Sequence, residues 1–174
     1  MEERSNANTM EKILASIEVS LKAGAHYAAL ITALTLPDIC GEIETGKLGS
    51  RERYLAWFNR YLYGYYNRKG YKNQVDFLIA ENCYALRCSL LHQGIASISG
   101  QQSRKGSLRT IHFHTDAYDH GHCNLNCDNI EGLQLNIERF CHDVTGAVRA
   151  WLKDICQDEV KGHKVHLLMS IRGD

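Results

Sequence analysis

Proline is almost missing from this chain. Pro37 is the only one in 174 residues, so little along the sequence forbids long helices. An excess of charge of either sign is missing too. Twenty Lys and Arg balance twenty Asp and Glu, which excludes duplex binding driven by bulk positive charge. No apolar run approaches the roughly 20 residues of a membrane span. The first residues, Met1-Glu2-Glu3-Arg4-Ser5-Asn6, hold no apolar signal core. No membrane partner and a cytoplasmic location are expected. Neither G-x-x-x-x-G-K-[ST] nor G-x-G-x-x-G occurs, which excludes nucleotide binding through those loops.

Cysteine is not scarce. Seven are present, an odd number, and Cys40, Cys83, Cys88, Cys141 and Cys156 sit in apolar stretches. That pattern predicts reduced, buried thiols rather than a disulfide scaffold. The length predicts one domain, residues 1–174, whose core needs no covalent staples.

From Met10 to Leu34, apolar or small residues recur at Ile13, Ile17, Leu21, Gly24, Ala28 and Ile31. Steps of three and four predict one long helix. Pro37 disfavours helix at Leu36 and is expected to end it. Ser50 is expected to cap a second helix through about Tyr66, with Tyr54, Trp57, Phe58, Tyr61 and Leu62 inward. Asn73 is expected to cap a third, which runs to Gln93 and stops at Gly94. Leu108–Thr115 alternates like a strand, with His122–Cys127 as its hairpin partner and Leu133–Asn136 as a third strand. Ile137–Cys156 reads as a closing helix with Ile137, Phe140, Val144, Val148, Trp151 and Ile155 on one stripe. A last strand is expected over Val165–Ile171.

The third helix carries the chemistry-bearing residues. Val75, Ile79, Cys83, Leu86 and Leu90 form its core stripe. Arg87 and His92 lie about 140° apart and flank the other side. Between them are Phe77, Tyr84, Cys88 and Leu91, with Glu81 beside His92. An apolar seam edged by ionisable groups suggests contact with a second copy of the same helix, and a two-fold axis would bring both copies of each residue together. The alternative is a central helix buried all round. Arg87 would then be paired with Glu81 or Asp38, and His92 hydrogen-bonded in the core.

The R-x4-H pair Arg87 and His92, near the end of a helix in a small mainly helical protein, resembles the HEPN superfamily. A long first helix, an aromatic-rich second, the motif helix and a closing helix match its four-helix layout. The stretch Ala33-Leu34-Thr35-Leu36-Pro37-Asp38-Ile39-Cys40-Gly41, followed by Tyr84 to Gly94, looks like a standalone bacterial or phage-related group of that kind. The resemblance implies a mainly α fold: a four-helix HEPN-like bundle with a small β-hairpin or sheet inserted between the third and fourth helices, at about residues 108–136. It also implies a metal-independent endoribonuclease, acting as a toxin or antiviral effector, with no cofactor. Its partners would be an RNA substrate, a second copy of the chain through the Phe77, Tyr84 and Leu91 face, and an antitoxin or regulator.

The catalytic positions carried over are Arg87 and His92, supported by Glu81, Tyr84, Cys88 and Asp38. The residue after the arginine is commonly asparagine in the family; here it is Cys88. Several members are inactive scaffolds, so a non-catalytic dimerisation or nucleotide-sensing module is the alternative. The chemistry itself is coherent. The ribose 2′-OH is RNA's own nucleophile. His92 would move its proton, and the planar fork of Arg87 would hold the phosphate. The products would be a 2′,3′-cyclic phosphate and a 5′-OH.

Two further groups stand out. His112, His114, His120, His122, Cys123 and Cys127, with Asp116, Asp119 and Asp128 nearby, are zinc-type ligands if a hairpin gathers them. They would make a zinc-stabilised regulatory protein. Arg104, Lys105 and Arg109 form a basic loop able to touch an RNA backbone, and otherwise a solvated one. Asp38, just after Pro37, is expected to cap a helix, or else to polarise the site.

Overall fold

The computed structural model describes residues 7–46, 48–67, 78–95, 97–98, 110–116, 121–125 and 130–168. The chain is mainly helical with one small sheet. The expected first helix is in fact two: α1 spans Ala7–Lys22 and α2 spans His26–Thr45. Between them Gly24 takes φ of +72°. That left-handed conformation is strained for a residue with a Cβ and free for glycine. The apolar steps running through Gly24 therefore belong to two faces. One is Met10, Leu14, Ile17 and Leu21 on α1; the other begins at Ala29, Leu30, Ala33 and Leu34 on α2.

Pro37 does not end α2. It lies buried inside the helix. It cannot donate to the Ala33 carbonyl, a defect that costs about 3 kcal/mol in an isolated helix. Packing offsets it, because α2 is the central helix and touches α1, α3, α5, α6 and α7. Helices in folded proteins are held mainly by such contacts rather than by local preference.

α3 (Ser50–Trp57), a π-helical turn (Phe58–Leu62) and α4 (Tyr63–Tyr66) follow one another without a break. Gly49, not Ser50, is the N-cap of α3. The Tyr63 amide donates to the Phe58 carbonyl, a step of five residues. The extra residue delays the rotation of the helix. Tyr66 rather than Tyr65 thus joins Tyr54, Trp57, Phe58 and Leu62 in the core. α5 (Ala80–Gln93) begins after the expected Asn73, which lies outside the described residues. It ends as expected, with Gly94 left-handed at φ +68°.

The sheet holds β1 (Thr110–His114), β2 (Gly121–Leu125) and β3 (Ile130–Asn136) in the order β1-β3-β2. β3 is parallel to β1 and antiparallel to β2. The expected hairpin between the first two strands is therefore absent; β2 turns back onto β3 instead. Ile111 faces Leu133 and Phe113 faces Leu135, which sets the apolar side of β1 and β3 against the helices.

β3 runs straight into α6 (Ile137–Ile155). Asn136 caps it by accepting from the Arg139 amide at 2.9 Å. The predicted stripe of Ile137, Phe140, Val144, Val148, Trp151 and Ile155 is buried throughout. Where the last strand was expected to begin, Val165 and His166 instead close α7 (Glu159–His166), and residues 169–171 lie outside the described residues. Asp158 caps it by accepting from the Lys161 amide at 3.0 Å. Only Val165 of this helix is buried, and α7 is anchored by Lys161 donating to Glu44 of α2 at 2.9 Å.

Candidate functional site

Three helices place the site. α2 contributes Asp38 from its middle, α3 contributes Ser50 and Arg53, and α5 contributes Tyr84, Arg87 and Cys88. Close approach of α2 and α3 brings them together. A Cβ on Gly41 would sit 2.8 Å from the Arg53 carbonyl, so only glycine allows this spacing without a shift. Asp38 is thus not a helix cap. It is the acceptor of a polar cluster.

Arg87 donates from Nη2 to Asp38 Oδ2 at 2.8 Å. Arg53 Nε and Ser50 Oγ each donate to Asp38 Oδ1 at 3.1 Å. Arg53 also reaches Glu42 at 2.7 Å. The Asp38 and Arg87 side chains are 15% and 18% exposed, so the pair is shielded from water without being sealed from it. Arg87 Nη1 lies 4.0 Å from Cys88 Sγ, and its buried Nε has no acceptor. The guanidinium is therefore fixed in place by Asp38. The pairing is with Asp38, one of the two partners the all-buried alternative allows.

Around this cluster the packing is aromatic. Tyr84 meets Tyr54 edge to face at 5.2 Å between centroids. Burial raises the Tyr84 hydroxyl above its ordinary value, against the lowering effect of a hydrogen bond with Ser50. Tyr54 is fully buried and its hydroxyl lies 3.3 Å from Cys83 Sγ. Burial pushes both groups up, Cys83 to about 12, so neither ionises at neutral pH.

His92 stands apart from Arg87. It lies on the last turn of α5 and is exposed. Five residues of helix separate the two by about 7.5 Å along the axis and about 140° around it. One chain does not converge them, and His92 is not a hydrogen-bonded core histidine. Tyr84 and Leu91 are half-buried. Phe77, the third member of the expected seam, lies outside the described residues, as do Val75, Arg104, Lys105, Arg109, Asp119, His120, Cys127 and Asp128.

The hairpin expected to gather the zinc-type residues does not form between β1 and β2. β3 separates β1, with His112 and His114, from β2, with His122 and Cys123. Alternate strands lie about 9.5 Å apart. Among the described residues no group of three or more His, Cys, Asp or Glu is placed to hold a metal. The Asp116 backbone carbonyl accepts from Asn136 Nδ2 at 2.7 Å.

Sequence reasoning missed two features. Arg53 carries no motif and reaches Asp38 only through the helix turn after Gly46. A second polar node, Glu44, accepts from Trp151 Nε1 at 3.0 Å, Lys161 at 2.9 Å and Arg60 at 3.4 Å. A buried indole N–H needs an acceptor, which was the available signal. No family model, curated protein or solved structure matches the chain.

Proposed function

We propose that this chain is a metal-independent endoribonuclease of HEPN type, working as a homodimer through the outer side of α5, in the manner of a toxin or antiviral effector. The observation that carries the reading is the state of Arg87: held by Asp38 at 2.8 Å, partly open to solvent, on the same helix as an exposed histidine. An arginine oriented in advance stabilises charge developing on a phosphorane without reorganising during the step. His92 takes the 2′-OH proton and the second copy's histidine returns one to the leaving 5′-oxygen. Two copies are needed because one chain leaves Arg87 and His92 on separate flanks of the helix.

A second reading is favoured by the same ion pair. An arginine satisfied by its own aspartate also suits a non-catalytic HEPN-type dimerisation or nucleotide-sensing module. The experiment is cleavage of single-stranded RNA in EDTA, with product ends analysed. The catalytic reading expects 2′,3′-cyclic phosphate and 5′-OH ends, and a loss of at least about a hundredfold in His92→Ala. His92 is exposed, so that variant keeps its fold. Arg87→Lys keeps a charge for Asp38 while removing the fork, and should lose activity with little loss of stability. Dimeric protein that leaves RNA intact, or cuts it equally well in both variants, sinks the catalytic reading and leaves the scaffold.

A further inference from the structure

A cleft of about 360 Å³ opens between the start of α2, the last turns of α5 and strand β1. Its floor is aliphatic and aromatic: Leu30, Leu86, Leu90, Ile111, Phe113 and Ile137. Its rim is polar, formed by His26, His112, His114 and Thr115, and Tyr27 stands at the mouth with 77% of its surface exposed. Among the described residues the three rim histidines make no hydrogen bond or ion pair. An exposed aromatic ring beside unspent imidazole donors and acceptors, over an apolar floor, is the arrangement that takes a flat heterocycle with polar edges.

We propose that this cleft is a nucleobase-binding site. The base inserts its ring against Leu30, Leu90 and Phe113, Tyr27 closes over one face, and His26, His112 and His114 read the polar edge. The volume admits one nucleotide and excludes a duplex. Its place also fits the chemistry proposed above. Leu86 lines the cleft and immediately precedes Arg87, and Leu90 lies about 60° around the helix from that arginine. A base seated here lies within one turn of Arg87 on the same helix. The base could belong to RNA or to a free nucleotide; only the RNA source rests on the ribonuclease reading. A second hollow, between α1, α6 and α7, has no Phe, Tyr or Trp among its described lining residues to stack on a base, and Arg149 there is paired with Glu11 and Glu18.

The test is binding by the full chain of adenosine and cytidine 5′-monophosphates, by calorimetry, and of a single-stranded RNA carrying 2-aminopurine, by fluorescence. Binding should quench the probe, and Tyr27→Ala and His112→Ala should each weaken it about tenfold. Both side chains are exposed, so neither change threatens the fold. Val160→Ala, far along the chain on exposed α7, should bind like the parent. RNA binding much tighter than mononucleotide binding assigns the site to RNA; equal affinities assign it to a free nucleotide. Binding that both variants weaken, without cleavage, supports the cleft and counts against the ribonuclease; binding that neither variant weakens overturns the cleft. Cleavage with an unchanged KM in Tyr27→Ala and His112→Ala overturns the cleft and leaves the ribonuclease standing, and so does failure of every ligand to bind at millimolar concentration.

Discussion

Asp38 takes three donors from α3 and α5, and its single negative charge is shared between Arg53 and Arg87. The sequence offers Asp38 as a partner of Arg87 alongside Glu81, as a support of the site, and as a helix cap, without deciding among them. Ser50 and Arg53 were not legible at all, because their contact with Asp38 depends on how α3 folds back over α2. Glu44 is the second such residue. Desolvation by burial raises its carboxyl, but hydrogen bonds from Lys161 and Trp151 and the charges of Lys161 and Arg60 outweigh it and leave the group below its ordinary value. A carboxyl depressed in the folded state adds stability above its unfolded pKa and loses that contribution as pH falls through the folded one. Glu44→Gln should therefore destabilise the protein by about 1–2 kcal/mol at pH 7. In urea titrations the gap between variant and parent should close below about pH 4, near the ordinary range of a glutamate. A gap that stays constant to pH 3 would show that the charge contributes nothing.

At the scale of elements, α6 was readable because its signal is strong and unopposed. A six-member apolar stripe at helical spacing lies between an asparagine cap and polar residues. α2 was misread because two local signals pointed the wrong way. Gly24 passed for a small residue on a helix face, and Pro37 for a stop. Burial of the central helix outweighed the proline. α7 was misread because Val165, Leu167 and Leu168 look like strand, whereas Asp158 three residues before Lys161 was a cap signal left unused. The spacing of α2 and α3 makes its own prediction. Gly41→Ala puts a methyl 2.8 Å from the Arg53 carbonyl, which is backbone and cannot swing away. It should cost about 1–3 kcal/mol. Gly146→Ala meets only the Tyr65 hydroxyl at 2.9 Å, the free end of a half-exposed side chain. That change should be neutral or stabilising by up to about 1 kcal/mol through helix preference. Thermal melts of the two variants should move apart, with Gly41→Ala the lower; equal midpoints would mean the α2–α3 contact is loose.

For the whole molecule, the expectation of reduced, buried thiols holds at Cys40, Cys83, Cys88 and Cys141, while Cys156 is exposed. Burial raises the Cys40, Cys83 and Cys141 thiols, the last two to about 12, so little thiolate is present to react. Alkylation followed residue by residue by mass spectrometry should label Cys156 at once. Cys40, Cys83, Cys88 and Cys141 should follow only at the rate of unfolding. Fast labelling of Cys83 in native protein would mean that α5 opens locally. What the sequence could not convey was how the sheet joins the helices, since strand order is set by pairings between segments far apart along the chain.

Asn136 is at once the last residue of β3, the cap of α6 and the tie to the chain just beyond β1. No loop stands between strand and helix to absorb a rotation. The sheet is therefore a direct extension of the amphipathic helix α6, like a blade on a shaft. β1, bonded along its length to β3, turns with it. α6 in turn is tied through Trp151 and Glu44 to the same central helix that holds Asp38, so an unbroken line of bonded elements joins β1 to the Arg87 cluster.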